Sequence, residues 1–416
     1  MSRDVTCPFC SLHCDDLVIR NSSGKLNIEK GACAIATRQF ERNDPHASPS
    51  VFGKKTSLED ALERAANILG ESRQAHFAGS ASDVNACRSL LNLADKVGAS
   101  IDHVHGDAMT SNLRVLQTRG WITTTLAELK NRADLIIFVG TDASTPYPRF
   151  FERFVWNQAS LAGLKRNTRQ LFYIGEGLDT TKGISPKGNK PTLIPCSGKS
   201  INETLLLLRA LLENSKVDET EIDKKVLKNL NSLSEQIKQA DYGVIIWDPA
   251  EFSASDGELS VQVISDMLRK LNKKQRFAGL SLGGNDGGTS FTSVCSWQSG
   301  FPLRVSFRDA YPAHDIFRFS TSRILEENNS DSLLWLNNFD TSLVVPSTKV
   351  PRIVLSRPLR RVSEDIAVYI PLATPGLDHR GNLMRTDSVV SLPLSKLRES
   401  AFPTASEVLD KLRQLV

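Results

Sequence analysis

Residues 133–142 read ADLIIFVGTD. Five apolar residues, Leu135 to Val139, follow one another without a polar break, and Gly140 ends the run. A strand with one wet face alternates apolar and polar residues, so an unbroken run marks a strand covered on both faces. Such strands occur in parallel sheets packed between helices. The same signature recurs on either side. RQLFYIGEG (169–177), PTLIPC (191–196), YGVIIWDP (242–249), RFAGLSL (276–282), DSLLWLNNFD (331–340) and PRIVLSR (351–357) are all short apolar runs bounded by turn residues. QAHFAGS (74–80) is a shorter one.

Between them lie helical patterns. TSLEDALERAANIL (56–69) has Ser57 as a cap, Asp60 three residues on, and apolar residues at 58, 61, 62, 65, 68 and 69, a helical period. DVNACRSLLNLADKVG (83–98) closes on Gly98, SINETLLLLRALLEN (200–214) is strongly apolar, and VDETEIDKKVLKNLNSLSEQIKQ (217–239) is a solvated helix. LSVQVISDMLRKL (259–271) is a further helix. Alternation of this kind predicts two doubly wound α/β halves. The expected divisions are a cap at 1–55, one α/β domain at 56–218 and a second at 219–416, with interleaving of the last two compatible with the pattern. Ligands of such sheets bind at the carboxyl ends of the strands, here the loops GSASD, GTDAS, WDPAE and LGGNDGG. The last, with Gly283, Gly284, Gly287 and Gly288, is no P-loop and no G-x-G-x-x-G, and reads as a flexible turn.

The chain has 416 residues, with 51 Lys plus Arg against 47 Asp plus Glu. A formal charge of +4 without a basic run excludes nucleic acid as an expected partner. No apolar run approaches the roughly 20 residues of a membrane span, and the first residues lack the apolar core of a signal peptide. The expected location is the cytoplasm.

Four of the seven cysteines, Cys7, Cys10, Cys14 and Cys33, fall in the first 33 residues. Cys87, Cys196 and Cys295 are scattered and read as small buried hydrophobes. The spacing is C-x2-C-x3-C, and DDLVIRNSSGKLNIEKGAC (15–33) reads as strand, turn and strand. That hairpin can return Cys33 to the first three. Three close cysteines and one remote cysteine suit a [4Fe–4S] cluster. Zinc, with His13 as a further donor, and an empty remnant remain alternatives.

A four-cysteine cap on two α/β halves resembles the molybdopterin and tungstopterin oxidoreductases. CPFCSLHCDDL (7–17) with KGAC (30–33), TLAELKNRADLIIFVGTD (125–142) with YPRFFERF (147–154), WQSGFPLRVSFRDAYP (297–312) and DIAVYIPLATPGLDHRGNLMRTDSVVSLPL (365–394) resemble the B subunit of formylmethanofuran dehydrogenases. The family's pterin-binding barrel is a separate D-type subunit, and PTASEVLDKLRQLV (403–416) leaves no room for one in this chain.

One departure from the family pattern bears on function. Family enzymes carry Cys-His-Gly-Pro before the TLAELKNRADL segment, and that cysteine ligates tungsten or molybdenum. Here DHVHGDAMTSN (102–112) aligned on His105 and Gly106 places Val104 at the ligand and Asp107 at the proline. A valine has no lone pair to offer a metal. The family's SHPRH-like segment appears as Thr145-Pro146-Tyr147-Pro148-Arg149-Phe150, with Tyr147 replacing the first histidine and Arg149 kept.

This pattern resembles the B subunit of bacterial formyltransferase/hydrolase complexes of one-carbon metabolism. Such complexes move a formyl group from tetrahydromethanopterin to a methanofuran-like carrier and hydrolyse it to formate. The resemblance implies a non-redox scaffold without tungstopterin or molybdopterin. Its implied partners are an amidohydrolase A-type subunit, a C-type subunit, a D-type barrel and a formyltransferase. The vestigial site would comprise Val104, His105, Gly106, Asp107, Tyr147 and Arg149, with no catalytic residue in this chain. Two alternatives stand beside it. One is an active dehydrogenase with Asp107 as metal ligand. The other is a zinc-dependent hydrolase using His103 and His105, which would require a (β/α)8 barrel.

Overall fold

The computed structural model describes residues 2–157, 160–163, 168–196, 198–218, 220, 222–252 and 256–416. The chain forms two compact units, Met1–Gly106 together with Gly284–Val416, and Asp107–Gly283. The divisions expected at 55/56 and 218/219 are therefore corrected: the second unit is an insertion within the first. Strand pairing is the physical reason. The buried strand Ala75–Ala81 pairs in parallel with Ser332–Asn337, so the first sheet recruits its next central strand from beyond the insertion.

In the first unit the sheet has nine strands among the described residues. Its parallel core runs Ser100–Ile101, Ala75–Ala81, Ser332–Asn337, Arg352–Ser356 and Val368–Pro371. Short antiparallel strands, Val305–Ser306 with Ala313–His314 and Ser50–Val51 with Lys54–Lys55, close the two edges. Sequence order reverses between Ala75–Ala81 and Ser332–Asn337, which makes that edge the switch point. The register slips there, Trp335 facing Ala78 and Asn337 facing Ala81. Gly79 permits the bulge: its φ is +77°, and a Cβ would lie 2.6 Å from the Leu336 carbonyl oxygen. The expected helices form as Leu58–Glu71, capped by Ser57, and Val84–Val97, capped by Asp83 and closed by left-handed Gly98. The carboxy-terminal helix Ala405–Leu415 packs on both.

The cap belongs to this unit. Its hairpin is Leu17–Ser22 paired with Lys25–Lys30, and Ser2–Val5 adds a third strand. A short helix, Ala34–Phe40, follows Cys33 directly.

In the second unit five parallel strands of the described residues lie in the order Thr192–Ile194, Gln170–Ile174, Leu135–Val139, Gly243–Trp247 and Phe277–Ser281. Every residue of Leu135–Val139 is buried, as the unbroken apolar run requires. Helices Ile201–Leu212, Lys224–Gln239 and Gly257–Leu271 contribute Leu205, Leu230 and Ile264 to its apolar core. Cys87, Cys196 and Cys295 are buried. Among the described residues no helix is long and apolar enough to cross a membrane.

Candidate functional site

The cysteine loop is closed by its own backbone. The Cys7 N–H donates to the Cys14 carbonyl at 2.8 Å and the His13 N–H to the Cys10 carbonyl at 3.1 Å. His13 takes a left-handed φ of 43° to complete the turn. The hairpin then returns Cys33 to this loop. Burial pushes the Cys7 thiol well above its ordinary pKa, and Cys10, Cys14 and Cys33 each raise it further. Cys10 is pushed up to about 12, by burial first and then by Cys14. The Cys7 and Cys10 thiols are thus each near Cys14 and Cys33. Cys33 also caps its helix, its Sγ accepting from the Ala36 N–H at 3.4 Å. His13 is lowered to about 4, chiefly by burial, so it is neutral at pH 7.

The donor set fits a thiolate-held cluster. It is four sulfurs, three of them buried beneath a small cap, on two chain segments that converge. Among the described residues no three His, Cys, Asp or Glu side chains gather with the geometry of a single ion.

The segment Asp102–Gly106 leaves the carboxyl end of Ser100–Ile101 beside the bulged strand. The Val104 N–H donates to the Gly79 carbonyl at 2.8 Å and the Ser80 hydroxyl to the Asp102 carbonyl at 2.8 Å, so the bulge sets the path of this turn. The Val104 side chain packs against the buried cluster of Ala78, Leu333, Trp335, Val354, Ile366 and Tyr369. Beneath the turn, Asp102 accepts from Arg304 Nε at 3.2 Å and from the Thr321 N–H at 2.9 Å. Burial raises the Asp102 carboxyl above its ordinary pKa against the opposing pull of Arg304. Gly106 is required by space, because a Cβ there would lie 2.3 Å from Asp102 Oδ1.

His103 and His105 both turn toward Asp286. His103 Nδ1 accepts from the His105 N–H at 3.1 Å, which assigns its proton to Nε2, 3.3 Å from the Asp286 carbonyl oxygen. His105 Nε2 lies 2.8 Å from Asp286 Oδ2. Burial, then the neighbouring His105, lowers His103 to about 3. The two-histidine zinc reading is corrected on this geometry: both ring nitrogens of His103 are engaged within the protein, and the sheets are open rather than closed into a (β/α)8 barrel.

The GGNDGG loop is likewise not the flexible turn its composition suggests. Besides Asp286, it supplies Asn285, whose Oδ1 accepts from the Ser11 N–H of the cysteine loop at 3.0 Å. Sequence reasoning missed Asp286 and Asn285, and the only signal available was two Asx residues at the centre of a glycine cluster. Cap, loop and histidine pair therefore form one connected assembly.

The other expected site residues lie in the second unit. Asp107 stands in the first turn of helix Gly106–Arg119. Tyr147 is fully buried, its hydroxyl donating to Asp248 Oδ2 at 2.9 Å. This bond joins the loops after Leu135–Val139 and Gly243–Trp247, the strands on either side of that sheet's switch point. Arg149 is buried and pairs with Glu152, Nη2 to Oε1 at 2.6 Å.

No family model matches the chain. It is 29% identical over 287 residues to the B subunit of the formyltransferase/hydrolase complex Fhc of Methylorubrum extorquens, covering 69% of this chain and 73% of the relative. It is 24% identical over 403 residues to the B subunit of the tungsten-containing formylmethanofuran dehydrogenase 2 of Methanocaldococcus jannaschii, covering 93% and 92% of the two chains. The crystal structure of the Methylorubrum extorquens complex FhcABCD with methylofuran contains a chain that matches with a TM-score of 0.73 at 26% identity, over 88% of this chain and 98% of that one. Acetylene hydratase from Pelobacter acetylenicus matches with a TM-score of 0.57 at 10% identity, over 100% of this chain and 69% of that one, a likeness of fold.

Proposed function

We propose that this chain is the B-type subunit of a formyltransferase/hydrolase complex, a redox-enzyme fold kept as a scaffold. The similarity to the Fhc B subunit, in sequence and in structure, supports that reading. The observation that carries it is Val104. The residue aligned with the metal-ligating cysteine is an apolar branched side chain, half-buried against a buried apolar cluster and without a donor atom. Nothing in that position can bind a soft metal. The pterin-bound tungsten or molybdenum of the dehydrogenases is absent from the proposed working complex. Formyl transfer and hydrolysis belong to the partners: the amidohydrolase A-type, the C-type, the D-type barrel and the formyltransferase. The complex works on a methanofuran-like carrier in the cytoplasm.

The proposal includes a [4Fe–4S] cluster on Cys7, Cys10, Cys14 and Cys33. The cluster would supply one-electron chemistry. In a scaffold it serves instead to hold the cap together, tying the Cys7–Cys14 loop to the separate segment that carries Cys33.

The longer alignment with the tungsten enzyme favours the second reading, an active dehydrogenase. Activity separates the two. The complex purified with this chain is expected to release formate from the formylated carrier and to leave formate unoxidised with viologen acceptors. Viologen reduction by formate at a rate comparable to formate release would reverse the assignment.

A further inference from the structure

Cys33 lies on a different chain segment from the other three thiols, so a four-sulfur site depends on what fixes one segment against the other. Arg357, the residue after strand Arg352–Ser356, touches both. It is fully buried. Its guanidinium carbon lies 5.7 Å from the ring centre of Phe9, which sits between Cys7 and Cys10. Its Nη1 donates to Gln39 Oε1 at 3.0 Å and its Nη2 to the Gln39 carbonyl at 3.1 Å. Gln39 belongs to the helix that Cys33 caps. Phe9 in turn stands edge-on to Phe40 of that helix, centroids 5.1 Å apart.

The guanidinium is itself held rigidly. Nε donates to Asp44 Oδ1 at 2.9 Å and Nη2 to Asp44 Oδ2 at 3.1 Å, a two-pronged pair. Arg398 donates to the same Asp44 at 2.7 Å and to Asp378 at 2.6 Å. A buried charge of this kind contributes little to stability over an apolar replacement, and its best-attested use is to fix register.

We propose that Arg357 is the positioning residue that fixes Cys33 against the Cys7–Cys14 loop at the spacing a four-thiolate cluster needs. The inference rests on the cluster reading above. The loop of three cysteines is closed by its own hydrogen bonds and does not need Arg357. Cys33 does. Without the clamp, the iron at Cys33 loses its ligand first. Mild oxidation then follows [4Fe–4S]2+ → [3Fe–4S]+ + Fe2+ + e−, the electron passing to added ferricyanide.

The test uses the full-length chain, purified anaerobically with its partners, as wild type and as Arg357→Met, Arg357→Lys, Gln39→Leu and Arg398→Met. Iron content, ferricyanide-induced three-iron EPR signal and melting temperature are measured on each. Wild type is expected to hold about four irons per chain. Arg357→Met should form the three-iron signal at least tenfold faster, and Gln39→Leu faster than wild type. Arg357→Lys, which keeps the charge but not the fork, should rescue only in part. Arg398→Met, which loses bonds to Asp44 and Asp378 but no contact with either cysteine segment, should form the signal more slowly than Arg357→Met. If Arg357→Met does not fold, Gln39→Leu and Arg357→Lys decide. Retention of the four-iron cluster at the wild-type rate in the folded variants would overturn the proposal. An iron-free wild type would instead remove the cluster assignment itself.

Discussion

Val104 carries the functional argument because its side chain is already used. It packs, half-buried, against an apolar cluster that includes Trp335 and Tyr369, so Val104→Cys alone is expected to give neither tungsten binding nor formate oxidation. Asp107 and Tyr147 still depart from the family pattern, and Tyr147 is committed to Asp248. Elemental analysis of the reconstituted variant checks this. Arg304 and Asp102 form a buried ion pair beneath the same turn. Arg304→Met should cost about 3–5 kcal/mol, because it leaves a buried carboxylate uncompensated; urea unfolding measures it. His76 and His103 are both lowered to about 3, mainly by burial. Each is neutral when folded and has an ordinary pKa near 6.5 when unfolded, so the unfolded chain binds more protons between about pH 3 and pH 6.5. Stability is then full above about pH 6.5 and falls as the pH drops through that window, by roughly 1.4 kcal/mol per pH unit for each histidine. Urea midpoints from pH 7.5 to 5 should show this slope, and His76→Gln should shallow it. At this scale the sequence discloses Val104 and the histidines but not their partner. Asp286 lies 181 positions from His105, and no local pattern connects them.

Among the elements, the buried strands are the most legible, since a short apolar run without helical or alternating period fits little else. Leu135–Val139, Gly243–Trp247 and Ser332–Asn337 all form where the apolar runs place them. Ser2–Val5 is not legible, being a short edge strand of mostly polar residues. The bulge in Ala75–Ala81 is also hidden, because Gly79 reads as an ordinary strand end until its neighbours are known. Gly79→Ala should destabilise the chain by about 1–3 kcal/mol, combining a positive φ with a Cβ 2.6 Å from the Leu336 carbonyl. The loop 284–288 misleads because glycine content looks like freedom, whereas its Asx side chains tie it to its neighbours. Asn285→Ala strands the buried Ser11 N–H, and a loss of about 1–3 kcal/mol is expected. Hydrogen exchange should report faster opening of the cysteine loop in that variant.

On the scale of the molecule, a linear division into domains fails because sheets are assembled by pairing rather than by order along the chain. Asp107–Gly283 folds around its own five-stranded sheet, and the first unit closes only when Gly284–Val416 returns. A scaffold of this kind is expected to copurify with the A-, C- and D-type subunits and the formyltransferase; isolation as a stable lone chain that fails to bind them on mixing would count against the proposed role. Metal content tests the loss of the redox centre most directly. Elemental analysis of the anaerobically purified complex should find iron at about four per copy of this chain, with tungsten and molybdenum both far below one. A tungsten or molybdenum content near one per copy would contradict it.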